Sequence, residues 1–63
     1  MTPYRIYILN FDDVVEDEHE DRFGSDREAL ERAEDARAGE YAAEVWQGER
    51  LVARLGGALR LDI

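Results

Sequence analysis

The chain has no cysteine and no lysine, and only one histidine and one serine in 63 residues. Without cysteine, disulfides and thiolate metal sites are excluded; a reducing cytoplasm suits such a chain but is not required by it. A catalytic triad needs a nucleophile, a positioned base and an oxyanion hole. The only serine, Ser25, stands where a helix cap is expected, and no glycine-rich elbow accompanies His19. No apolar run approaches the roughly 20 residues needed to cross a bilayer, and the N-terminus lacks the basic-then-apolar order of a secretion signal. These absences predict a cytoplasmic protein that is not an enzyme and carries no cofactor and no dedicated metal site. A folded chain this short buries only about 60% of the surface it exposes when unfolded, and nothing covalent staples it.

What the chain has in excess is acid. Sixteen carboxylates face eight basic residues, all arginine, for a net charge of −8. That balance opposes direct binding to DNA or RNA and to anionic membrane surfaces, and favours a basic protein partner. The densest stretch is DDVVEDEHED, residues 12–21, with seven carboxylates and His19 in ten positions. Such crowding is costly in a small domain, so it calls for an explanation.

The coarse order of elements is legible. Residues 4–11, YRIYILNF, are β-branched and aromatic and read as a strand. Tyr4, Ile6 and Ile8 fall on one face, with Arg5, Tyr7, Leu9 and Phe11 on the other, and apolar groups on both faces predict a central strand. Asp12 and Asp13 read as a turn. Residues 14–23 are charged on both faces in the middle, which suits an edge strand guarded by charge or a mobile loop. Ser25 followed by Glu28 is a capping box opening DREALERAEDARAG, and Gly39 stands where a left-handed C-terminal cap is expected. Ala29, Leu30, Ala33 and Ala36 share one side of this helix. Glu28, Glu31 and Asp35 share the other, where Arg32 is placed to pair with Glu28 and Asp35. Residues 41–47 and 50–55 flank Gly48-Glu49, a two-residue hairpin loop of type II′.

One helix on one face of a small antiparallel sheet is an α+β domain. The expected order is ββαββ over a single domain, 1–63, with residues 57–63 either a loosely attached tail or a short extra strand. Ile6, Ile8, Tyr41, Ala43, Val45, Leu51, Ala53 and Leu55 are expected to meet the helix. Arg5, Tyr7, Leu9, Glu44, Trp46, Arg50, Val52 and Arg54 are expected on the uncovered face.

At YRIYIL, at the SDREALERAEDARAG helix and at EVWQGERLVARL, the chain resembles a set of short uncharacterised bacterial proteins. These open with a Tyr-Arg strand, carry an alanine-rich helix and end in a VWQGxRLVARL hairpin, here Val45 to Leu55. The resemblance implies the ββαββ fold and no activity. The acidity of the second strand and the GGALRLDI tail depart from that pattern. In size and charge, though in no motif, the chain is also similar to phage-encoded anti-CRISPR proteins and other DNA mimics, which implies inhibition by binding.

Two functional expectations follow. In the first, the acids imitate phosphates. Same-face residues on a strand are spaced by roughly 6.6 Å, close to the separation of successive phosphates, about two 3.4 Å steps. Glu16, Glu18 and Glu20 would form one row and Asp17 and Asp21 the other, with Asp12, Asp13, Glu28, Glu31 and Asp35 extending the surface. A nucleic-acid-binding complex would be blocked by contact with its basic channel. In the second, the chain is a homodimeric assembly module that uses Tyr7, Leu9, Trp46, Val52 and Arg54, and the acids serve only solubility.

Overall fold

In the computed structural model, which describes residues 1–57, the pattern of Tyr4, Ile6 and Ile8 becomes the centre of a sheet. The elements are β1 (Thr2–Leu9), β2 (Val15–Phe23), α1 (Asp26–Arg37), β3 (Ala42–Gln47) and β4 (Arg50–Gly56). All strand pairs are antiparallel, in the order β2-β1-β3-β4. With α1 packed on the sheet, this is the expected ββαββ, α+β architecture. β1 is central, and the acidic segment is an ordered edge strand. The tail, expected as either a loose attachment or a short added strand, lies, from residue 58 onward, outside the described residues.

β1 stops at Leu9 because Asn10 supplies a local alternative to the ladder. Its Oδ1 accepts from the backbone N–H groups of Asp12 (2.8 Å) and Val14 (3.1 Å). Its own N–H donates to the Val14 carbonyl at 3.0 Å, and Asp13 N–H donates to the Asn10 carbonyl at 2.9 Å. Asp13 takes a φ of +60°, the left-handed third position of a three-residue hairpin loop, which aspartate tolerates. Phe11, expected on β1, is therefore outside it. The residue is 83% exposed, and its ring leans on Tyr41 at a centroid distance of 4.8 Å.

α1 starts as its sequence predicts. Ser25 Oγ accepts from Glu28 N–H at 3.3 Å, and the Glu28 carboxylate reaches back to accept from Gly24 N–H at 2.7 Å. At the other end the left-handed cap is Ala38, at φ +40°, one residue before the expected Gly39. Gly39 follows at φ +92°. Two consecutive left-handed residues turn the chain back toward β3, and Glu40 N–H closes that turn on the Arg37 carbonyl at 2.7 Å.

The core is one layer deep. Ile6 (1% exposed) and Val45 (0%) are its largest wholly buried side chains. Ala29 and Ala33 of α1 are wholly buried with them, joined by Tyr4, Ile8 and Ala43. Burying a side chain of the Ile or Val class contributes about 1.5–3 kcal/mol. Leu30, Ala36, Phe23 and Leu55 close the margins, and Tyr4 meets Phe23 edge-on at 5.8 Å.

The β3–β4 hairpin turns at Gly48, whose φ of +60° suits the glycine-first turn expected there. Beyond it the register departs from simple alternation. Val45 pairs with Ala53 but Trp46 pairs with Leu51, so Val52 is the extra residue of a β-bulge. Val52 therefore packs against the helix-side core, while Leu51, expected inside, is 47% exposed. A second shift pairs Ile8 with Asp17 and Leu9 with Val15, leaving Glu16 out of the alternation. Tyr41 precedes β3, so it stacks on Phe11 and does not share a strand face with Ala43 and Val45.

Two positions of positive φ, Ala38 and Gly56, generate opposite expectations. Ala38 in the left-handed region carries the strain of its Cβ, so Ala38→Gly is expected to raise stability by about 0.5–1 kcal/mol. At Gly56, φ +69°, a Cβ would sit 2.7 Å from the Tyr41 carbonyl oxygen and 2.6 Å from Arg37 Nη1. Gly56→Ala is expected to cost more than about 1 kcal/mol. Urea denaturation midpoints at unchanged slope test both.

Candidate functional site

The acidic edge is less uniform than its sequence implies, because the arginines of the sheet reach into it. Arg5 lies opposite Glu20 on β2. Its Nη2 donates to Glu20 Oε2 at 2.7 Å, and its Nε lies 3.4 Å from Glu18 Oε1. The Glu20 hydrogen bond, with Tyr7 and Glu18 nearby, raises the guanidinium pKa above its ordinary value. Glu18 and Glu20 are thus a row of two held by one cation, and Glu16, displaced by the bulge, does not extend it. On the helix side of β2, Asp17 Oδ2 lies 3.2 Å from His19 Nε2. Among the described residues no three carboxylate or imidazole groups converge as metal ligands would.

The remaining predicted acids divide in two. Asp13 Oδ1 accepts from Arg54 Nη2 at 2.6 Å, Glu28 is occupied by the helix cap, and Glu31 makes a loose pair with Arg27 at 3.7 Å. Asp12, Glu16, Asp21 and Asp35 have no cation within ion-pair distance among the described residues. Arg32, expected to meet Glu28 and Asp35, pairs with neither. The cations that do pair along α1 are Arg27 and Arg37, the latter 3.0 Å from Glu34.

The uncovered face of the sheet is smaller than expected. Leu9 is buried (4% exposed), as is Ala42 opposite it (0%). At this end Arg54 crosses from β4, with Nη1 donating to Glu44 Oε2 at 2.7 Å and Nη2 to Asp13. Val52 has moved inward at the bulge. Of the five residues expected to form the alternative interface, Leu9, Val52 and Arg54 are therefore occupied within the fold, and Tyr7 and Trp46 remain. Those two border an open groove of ≈ 720 Å³, with Pro3, Arg5 and Val15 along its sides and Glu20, Glu44 and Glu49 at its rim. Trp46 Nε1 donates to Glu44 Oε1 at 3.1 Å.

A third cluster was not visible in the sequence. Asp26, legible only as an acid in the first helical turn, accepts from Tyr4 Oη at 2.6 Å and from Arg50 Nη2 at 3.1 Å. Arg50 thereby leaves the uncovered face, where it was expected, and braces β4 against the helix N-terminus; Gln47 Oε1 steadies it at 2.6 Å. No local pattern signals a contact among residues 4, 26 and 50. Arg50, and then Tyr4, hold the Asp26 carboxyl below its ordinary value, and the same bond to Asp26 raises the Tyr4 hydroxyl.

No family model matches the chain, and no curated protein and no solved structure matches it. Among the described residues no helix is long and apolar enough to cross a membrane. The site is therefore argued from its own geometry.

Because Asp26 is more acidic in the folded protein than in the unfolded chain, acidification protonates the unfolded state first. Its stabilising contribution is present above the unfolded value near 4 and is lost as pH falls through the lowered native value. The stability difference between the protein and Asp26→Asn is expected to be largest near neutrality and to shrink toward pH 3. Urea titrations of both at the two pH values measure it.

Proposed function

We propose that this protein is a small acidic binding module, without catalytic activity, that docks on a cationic protein surface and occupies a site otherwise held by nucleic acid. The observation that carries the reading is the ordered edge strand β2, with Glu16, Asp17, Glu18, Glu20 and Asp21 within Val15–Phe23, together with Asp12, Glu16, Asp21 and Asp35, which have no cation partner among the described residues. Carboxylates already paired have spent much of their field on their partners; those four have not. A net charge of −8 adds long-range attraction, so association is fast and weakens with salt. The strand spacing that suits phosphate mimicry survives only in short stretches, and the reading therefore rests on charge placement more than on a ladder.

A second reading, self-association through the Trp46 face, is favoured by the half-buried Tyr7 and Trp46 beside the groove. It is opposed by the rim, since an isologous contact between two copies would bring Glu20, Glu44 and Glu49 toward like charges.

The test is capture of partners from a cell extract at low salt, followed by release with salt and competition with duplex DNA. The double substitution Glu16→Lys, Asp21→Lys changes acids that hold no arginine among the described residues, Asp21 Oδ1 accepting only from the adjacent Arg22 N–H at 2.8 Å, and it is expected to weaken capture at least about tenfold, two lost charge contacts at roughly 1 kcal/mol each. Retained capture by that variant, or a captured protein that binds DNA equally well in the module's presence, overturns the reading. Sedimentation of the wild-type chain as a monomer at high concentration removes the second.

A further inference from the structure

The groove on the uncovered face carries more information than the acidic edge, because it combines an aromatic surface with a charge imbalance. Tyr7 comes from β1 and Trp46 from β3, whose neighbouring positions pair as Arg5 with Trp46 and Tyr7 with Glu44. The two rings are therefore diagonal neighbours on one face. Three carboxylates and one guanidinium line the groove; Glu20 is held by that guanidinium, Arg5, and Glu44 by Arg54 from outside the groove lining, so the surplus charge of the groove is that of Glu49. Glu44 has a double role. One oxygen accepts the indole N–H and the other accepts from Arg54, so the orientation of Trp46 is set before any ligand arrives, while the indole needs no further hydrogen-bond partner. Glu49, at the exposed hairpin turn, has no cation partner among the described residues.

We infer that this groove receives an arginine or lysine side chain from an extended basic segment of the partner protein, seated between Tyr7 and Trp46 and neutralised by Glu49. The inference rests on the proposed acidic-module reading and gives that reading a specific anchor. Ring faces attract cations through their quadrupole, and an aromatic slot with carboxylates at its rim suits a cation better than it suits an apolar chain or a second copy. A second copy would bring another −8 and a matching set of rim carboxylates against the first. The edge strand β2 then supplies attraction at a distance, and the groove supplies the contact that distinguishes a basic peptide from a diffuse cation atmosphere.

Trp46 is the only tryptophan of the chain, so its emission reports on this groove alone. The experiment titrates the full chain with a capped arginine-rich peptide and with a peptide of the same length in which citrulline, neutral and nearly isosteric, replaces arginine. Tryptophan emission and calorimetry are read in parallel. The arginine peptide is expected to shift or quench the emission along the calorimetric isotherm, while the citrulline peptide leaves it unchanged. Tyr7→Leu and Glu49→Gln are each expected to weaken binding by roughly three- to tenfold, the scale of one cation–aromatic or one charge contact. Glu49 lies on an exposed turn, so its variant keeps the test valid if Tyr7→Leu disturbs the sheet. Calorimetric binding without any emission change, and with both variants unaffected, overturns the inference and leaves the acidic-module reading standing. No calorimetric binding to the basic peptide overturns both. Emission that changes with protein concentration alone assigns the groove to a second copy and also overturns the inference.

Discussion

The close approach of α1 to the sheet, through Ala29 and Ala33 onto Ile6 and Val45, is the constraint from which the rest follows. Alanine contributes little apolar area itself, but it lets the helix sit low enough for branched strand residues to be sealed from water. A chain of this length has one helix to spend in this way among its described residues. Its sheet consequently has one face with a hydrocarbon core and another that must be managed with polar chemistry.

That chemistry is done by arginine. Arg5 ties β1 to β2, Arg50 ties β4 to the start of α1, and Arg54 ties β4 to Glu44 and the β1–β2 loop. Guanidinium is suited to the task because its planar fork of donors engages two carboxylate oxygens or two acceptors at once. Each of these pairs is partly exposed, so its net energy is modest, yet together they decide which acids belong to the fold and which are left over. The surplus acids collect on the β2 edge and the solvent side of α1, where repulsion is relieved by water and where edge-to-edge association is discouraged.

The same division underlies the proposed function. On the β2 edge and the loop before it, Glu16, Asp21 and Asp12 project charge with little shape. In the groove, a small set of carboxylates is placed around two aromatic rings and one of them is locked by an indole hydrogen bond. A diffuse field and a shaped slot are complementary in binding, the first governing encounter and the second discrimination. The two bulges make this arrangement possible. One places Val15 opposite Leu9, on the uncovered face, and the other turns Val52 inward and leaves Leu51 outside.

Local rules were enough for the element order, the central position of β1, the Ser25 cap, the Gly48 turn and the alanine face of α1. Each depends on residues within one strand repeat or one helical turn, so the information is contiguous along the chain. Excess acid and the missing cysteine and lysine were equally plain from composition alone. Tertiary structure decided the rest: the pairing of Arg5 with Glu18 and Glu20, the meeting of Tyr4, Asp26 and Arg50, the burial of Leu9, and the exchange of Leu51 with Val52. A bulge inserts one residue into a period of two and so reverses every face assignment beyond it, while an ion pair across the sheet depends on register and not on sequence spacing. Which carboxylates remain available to a partner is a property of that register, and it exists only once the chain has folded.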